Sequence, residues 1–299
     1  MFQTATRRRS RLRMTLDGPA GSGKTYTALR FAHTLAQGGP IAYIDTERGS
    51  ASKYVGESPD GIPWAFDVVE LTQFSPERYT ELIQAAGKMG YGVLVIDSLS
   101  HAWEGVGGAL DIKDRQGGNQ WTAWRSVTPI HNRMVDTILQ SPCHVITTMR
   151  SRMEYVQETD PNTGKTIIRK VGLSPIQRPG MEYEFDLVCD IDWAHILSVS
   201  KSRCSAVADM KIEKPGPSFL SPVMDWLESG AQAPAPAPAF TAPVQAVAQP
   251  AEVAAAVSLD DLVAQYGVEK VMEANGGMIP GTQEELALIA GLLGMREAA

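Results

Sequence analysis

Eight residues, Gly18-Pro-Ala-Gly-Ser-Gly-Lys-Thr25, restrict the fold of this chain more than any other feature. They follow the apolar stretch Met14–Asp17 and open a helical pattern over 24–37, so a strand must turn sharply into a helix there. The spacing is that of a phosphate-binding P-loop. Gly18, Gly21 and Gly23 let backbone N–H groups turn inward around a phosphate, Pro19, Ala20 and Ser22 complete the loop, and Tyr26 stands just beyond it. Lys24 is placed to span the β- and γ-phosphates of ATP, and Thr25 to put its hydroxyl on Mg²⁺.

Around this loop, strands alternate with helices. Candidate strands are Met14–Asp17, Ile41–Asp45, Phe66–Leu71, Val93–Asp97 and His144–Thr148, and helical stretches fall at about 24–37, 75–88 and 119–140. That order predicts an α/β fold with a mostly parallel sheet covered on both faces. After residue 150 the pattern changes to hairpins. Met153–Thr159 and Thr166–Val171 flank the turn Asp160-Pro-Asn-Thr-Gly-Lys165, and strands near 186–192 and 195–202 are expected to finish the sheet in antiparallel fashion.

A buried strand, Gly92-Val-Leu-Val-Ile-Asp97, ends in an acid at the sheet's carboxyl edge, where Asp97 is a second candidate group for the Mg²⁺ shell. AAA+ proteins place a Glu directly after this aspartate to polarise the attacking water, whereas here Ser98 follows. The strand Ile41-Ala-Tyr-Ile-Asp-Thr-Glu47 offers the alternative: a carboxylate just past a neighbouring strand end, so Glu47 is the candidate general base.

With Tyr43-Ile-Asp-Thr-Glu47, Val93-Leu-Val-Ile-Asp-Ser98 and Val199-Ser-Lys-Ser-Arg203 added to the P-loop, residues 12–215 resemble the RecA and RadA recombinase core. They are more similar still to the phage-encoded, RecA-like ATPases that accompany single-strand annealing and recombination. The resemblance implies a RecA-like P-loop core that hydrolyses ATP and binds single-stranded DNA as a ring or filament of identical chains. It implies that Tyr54, seven residues past Glu47, lies near the adenine, and that Lys201 and Arg203 reach a neighbouring subunit's γ-phosphate. The family's Asn-Gln switch after the fifth strand is replaced by Thr147-Thr-Met-Arg150, leaving Thr148 or Arg150 for that role. In that fold DNA is held by the loops after the Asp97 strand and after the next core strand.

Charge bears on the same question. Lys and Arg number 27 against 34 Asp and Glu, a net charge of −7 that argues against a protein coated in basic charge. The distribution is uneven. Residues 1–13 form an arm with five Arg, and 150–181 carries Arg150, Arg152, Lys165, Arg169, Lys170 and Arg178 against three acids. That basic hairpin is the better candidate DNA contact. The Gly-rich stretch His101–Gly118 reads as a second loop, followed by Trp121 and Trp124.

The core is expected over 14–230. Residues 231–256, with 12 Ala and 5 Pro, read as a disordered, semi-extended linker, and 257–299 as a small acidic helical module able to recruit a replication or recombination protein. Cys143, Cys189 and Cys204 are too scattered for a disulfide framework, and no apolar run or leader suggests a membrane, so a cytoplasmic protein with reduced thiols is expected. Two other functions fit the same loop. One is a small-molecule kinase with the 150–181 hairpin as its lid; the other is a nucleotide-gated scaffold that does not hydrolyse ATP.

Overall fold

The computed structural model describes residues 4–116, 120–159, 166–230, 263–265, 267 and 270–271, with 120–122, 154–159 and 166–172 described in backbone only. Packing divides the chain into two units, Met1–Ala233 and Pro234–Ala299. The expected linker 231–256 and nearly all of the acidic module 257–299 lie outside the described residues.

The first unit is an α/β sandwich whose sheet runs β3 (Asp67–Glu70), β2 (Ile41–Asp45), β4 (Val93–Asp97), β5 (His144–Thr159), β1 (Arg13–Gly18), β7 (Leu187–Ile191), β8 (Ile196–Ser202), β9 (Lys211–Glu213). Every pairing from β3 to β7 is parallel. The expectation of two antiparallel closing strands is therefore half corrected, because β7 lies parallel to β1 and the reversal begins only at β8. β4 is buried at all five positions, as a central strand covered on both faces must be.

Two helical layers cover the sheet. On one face α1 (Lys24–Ala36) packs Ala28, Leu29, Phe31, Ala32 and Leu35 at helical spacing against β1 and β2, joined by Phe219, Leu220 and Val223 of α6 (Pro217–Glu228). On the other, α2 (Pro76–Lys88) contributes Tyr79 and Ile83, and α5 (Gln120–Gln140) contributes Met134 and Ile138. The start of α2 is fixed locally: Ser75 caps Arg78 N–H at 3.3 Å, Pro76 occupies the first turn, and Glu77 faces the helix's positive end.

Two sequence expectations change here. The Gly-rich stretch after β4 folds mainly into two short helices, α3 (His101–Glu104) and α4 (Ala109–Arg115), which bury Ala102 and Ala109. Trp103 stacks on Trp124 with centroids 5.6 Å apart, so these rings serve the packing of α3 on α5. The side chain of Trp121 lies outside the described residues. The second change concerns the basic arm. Arg13 belongs to β1 and is only 7% exposed; its guanidinium donates to the carbonyls of Cys143 at 2.7 Å, Leu12 and Leu139 at 3.0 Å, and Ser141. It holds the α5–β5 corner against β1 and takes no part in a mobile arm.

β5 is far longer than expected. Its first half lies in the sheet, while Ser151–Thr159 pairs antiparallel with β6 (Thr166–Pro175) to form the expected hairpin. At about 3.3 Å per residue the nine residues Ser151–Thr159 carry β5 about 30 Å beyond the sheet, with a bulge between Glu154 and Tyr155.

At the end of β1, Asp17 is 1% exposed and accepts the Thr15 hydroxyl at 2.8 Å. Burial pushes its carboxyl up to about 8; the Thr15 bond and Lys24 oppose this, while Asp190, its register partner on β7, adds to it. The folded chain therefore binds one more proton than the unfolded chain from about pH 4 to about pH 8. Stability from this group is complete below that window and is lost as pH rises through it. Asp17→Asn removes the effect, so the melting temperature of the variant relative to the native chain should rise from pH 5 to pH 8. A difference that stays flat with pH in thermal melts would contradict this assignment.

Candidate active site

β1 and β4 both end at one edge of the sheet, and the groups singled out by the sequence meet there. Gly18 is required by close approach: a Cβ would lie 2.3 Å from the Ile191 carbonyl oxygen and 2.7 Å from Ser22 Oγ. Gly23 has φ of +91°, which a side chain rarely adopts, and α1 begins at the next residue with its free N–H groups facing the loop. Lys24 Nζ donates to the Pro19 carbonyl at 2.8 Å, across the loop it closes. Burial pushes its ammonium pKa down, while Asp97 and Glu47 act in the opposite sense. Ser22 Oγ is buried without a hydrogen-bond partner inside this loop, the kind of unsatisfied donor that an anion would use.

Asp97 is 3% exposed, and three hydroxyls converge on it. Thr25 Oγ1 and Tyr43 OH each donate to Oδ2 at 2.6 Å, and Thr148 Oγ1 donates to Oδ1. Thr25 and Asp97 thus offer the hard oxygen pair that Mg²⁺ prefers, so the residues present fit the ion. Tyr43 was not singled out by the sequence; it sits two residues before Asp45 on β2, and only the register β2–β4 brings it to Asp97.

The exit of β2 is tightly shaped. Asp45 Oδ1 accepts Glu47 N–H at 2.6 Å, and Thr46 donates from both its backbone and its hydroxyl to the Asp97 carbonyl, at 2.8 and 2.9 Å. Glu47 then projects toward β5, where Arg150 clasps it: Nε and Nη2 reach Oε1 at 3.0 and 2.8 Å, and Nη2 reaches Oε2 at 2.9 Å. The two side chains are 30% and 41% exposed, so the pair is open to competition from any anion entering the site. The two residues left for the polar switch, Thr148 and Arg150, therefore hold Asp97 and Glu47 respectively.

Beside the loop lies a cavity of about 500 Å³ whose walls are Gly21–Gly23, Tyr26, Tyr54, His195, Lys214 and Pro215. Tyr26 and Tyr54 meet edge to face at 5.8 Å, and Tyr26 packs on Trp64 at 5.0 Å. The volume and aromatic wall suit a nucleotide's base and sugar. The opposite wall was not legible in sequence. His195, at φ +61° in the β7–β8 turn, brings its Nδ1 to 3.0 Å from the Ser22 carbonyl. A larger cavity of about 810 Å³ lies beyond the Arg30–Asp60 ion pair, but it contains none of the P-loop residues.

Lys201 and Arg203 are not brought to this site. β8 runs back from the P-loop edge, so Lys201 stands beside Val188 and level with Thr15, toward the opposite end of β1. Lys201 Nζ donates to the carbonyls of Glu182, Tyr183 and Phe185 at 3.0, 2.7 and 2.8 Å, and Arg203 pairs with Asp186 at 2.8 Å. Both cations tie down the segment that leads into β7. Arg152 is exposed, Arg178 bonds Asn132 at 3.0 Å, and Lys165 and the side chains of Arg169 and Lys170 lie outside the described residues.

A strand-to-helix phosphate loop, an acid at the end of a central strand and a parallel sheet covered on both faces define a P-loop NTPase core. Residues 10–209 match the AAA domain family, more than half of the 299 residues, and the chain belongs to that family. No curated protein matches it. The chain is an AAA-type P-loop ATPase domain in which Ser98, and not an acid, follows Asp97. Among the described residues no helix is long and apolar enough to cross a membrane.

If Lys201 is a tether, Lys201→Ala should destabilise the fold by about 1–3 kcal/mol in urea unfolding, with ATP turnover per folded molecule unchanged. Loss of turnover at unchanged stability would instead place it at a neighbouring subunit's phosphates.

Proposed function

We propose that this chain is a RecA-like ATPase that uses ATP hydrolysis to control its grip on single-stranded DNA during recombination or annealing. The observation that carries this reading is the path of β5. One strand bears Thr148, on Asp97, then Arg150, on Glu47, then exposed Arg152, and continues into the basic hairpin. The nucleotide site and the candidate DNA grip are thus on a single strand.

In this reading the P-loop N–H groups and Lys24 hold the phosphates, and Tyr54 and Tyr26 face the base. Mg²⁺ held by Thr25 and Asp97 would offset phosphate charge. Glu47 accepts a proton from the attacking water as the new bond to the γ-phosphorus forms and the bond to the β-phosphate oxygen breaks, releasing ADP and phosphate. The γ-phosphate competes with Glu47 for Arg150, so ATP binding frees the base and pulls on the hairpin stem. Lys165, Arg169 and Lys170 on the hairpin, and Arg178 beyond the end of β6, add phosphate contacts. Assembly of identical chains into a ring or filament, and recruitment of a recombination partner by the acidic module 257–299, complete the proposal, as does a phage origin with action in the host cytoplasm.

The test is the rate of ATP hydrolysis with and without single-stranded DNA across a salt series. DNA should stimulate the native chain, and its affinity should fall steeply with salt, by a log–log slope of about −0.7 per phosphate contacted. Glu47→Gln should lower turnover by about 100-fold or more and leave ATP affinity within about threefold. Absence of both DNA binding and stimulation at low salt would sink the DNA reading. A phosphorylated small molecule among the products would favour the kinase, and native turnover no higher than that of Glu47→Gln would favour the scaffold.

A further inference from the structure

We infer that His101, at the start of α3, is a positioning residue for Glu47; the inference rests on the reading of Glu47 as the base. Among the described residues the ring's hydrogen-bond partners are Thr46 and Ser98. It acts on the residue before the base. Thr46 Oγ1 lies 2.6 Å from His101 Nδ1, accepts Ser98 N–H at 2.6 Å and donates to the Asp97 carbonyl at 2.9 Å. A hydroxyl has one proton to give and two lone pairs to fill. With its proton on the Asp97 carbonyl, all three contacts are satisfied when Nδ1 carries the hydrogen and donates to Thr46. The Thr46 peptide, and with it the direction in which Glu47 leaves β2, is then fixed from three sides.

The ring has little freedom to do otherwise. Phe74 stacks on it with centroids 4.7 Å apart and planes 23° from parallel, and Ser98 Oγ lies 3.2 Å from the same Nδ1. The neighbouring residue completes the arrangement: Ser100 Oγ accepts the backbone N–H of Arg150 at 2.9 Å. One short segment after Asp97 therefore holds both ends of the Glu47–Arg150 clasp, Glu47 through His101 and Thr46, Arg150 through Ser100. No local pattern marks His101, because Thr46 and Phe74 come to it from distant parts of the chain.

Isosteric substitution tests this. An Asn amide can place its N–H where Nδ1 stands, whereas a Gln amide reaches toward the Nε2 position. In the full-length chain, His101→Ala and His101→Gln should lower kcat for ATP tenfold or more with KM within twofold, since small misplacements of a reacting group cost this much. His101→Asn should recover kcat to within threefold of native. Native kcat in His101→Ala, equal losses in the Asn and Gln variants, or a loss that tracks a lowered melting temperature or a raised KM would overturn the inference. Glu47→Gln, assayed alongside, separates the two failures. If it hydrolyses ATP at the native rate, the base assignment falls and the inference with it; if it is inactive while His101→Ala and His101→Gln turn over normally, only the role of His101 falls.

Discussion

Asp97 is a carboxylate 3% exposed at the end of an interior strand of the parallel sheet, and the rest of the site depends on how that group is accommodated. An ionised group so placed is costly unless hydrogen bonds surround it. Here the donors come from three separate elements: Thr25 from α1, Tyr43 from β2 and Thr148 from β5. Meeting that requirement sets the phosphate loop against the sheet edge and fixes the spacing of β2, β4 and β5. The carbonyl of the same residue anchors Thr46, so the backbone that carries Glu47 is drawn to the same point.

The core behind this edge is rigid, with apolar layers on both faces of the sheet. The Glu47–Arg150 clasp is different in kind. It is half exposed, and in water such a pair contributes little to stability. A competable contact beside a packed centre is what a nucleotide-dependent switch requires, because the charge of a phosphate can exchange partners there without unfolding anything. β5 links this point to the hairpin without an intervening loop, so a displacement of Arg150 has a direct mechanical route outward.

Much of this was legible in sequence because local pattern and tertiary role agree. β2 and β4 are apolar runs ending in acids at exactly the residues the pattern marks, since central strands are buried on both faces. The phosphate loop states its own backbone needs through its glycines. Other parts depend on partners distant in the chain. Arg13 lies in a run of arginines that reads as an arm, yet four carbonyls around residues 139–143 and its neighbour Leu12 take it into the interior. Lys201 and Arg203 have the spacing of two cations on one strand face, but the carbonyls at 182–185 and the acid Asp186 claim them. The glycines at 105, 107 and 108 suggested an open loop, whereas they separate two short helices that are held by the burial of Ala102 and Ala109. Tyr43 belongs to the site through strand register and His195 through the turn between β7 and β8, neither of which a local pattern encodes.

The most direct test of this account is a structure of the full-length chain with Mg²⁺ and a non-hydrolysable ATP analogue. The account requires the ion to be shared by Thr25 and Asp97, the analogue's γ-phosphate to be contacted by Arg150, and Glu47 to have left Arg150 for a water beside that phosphate. A bound analogue with the Glu47–Arg150 clasp intact and no water within reach of Glu47 would contradict it.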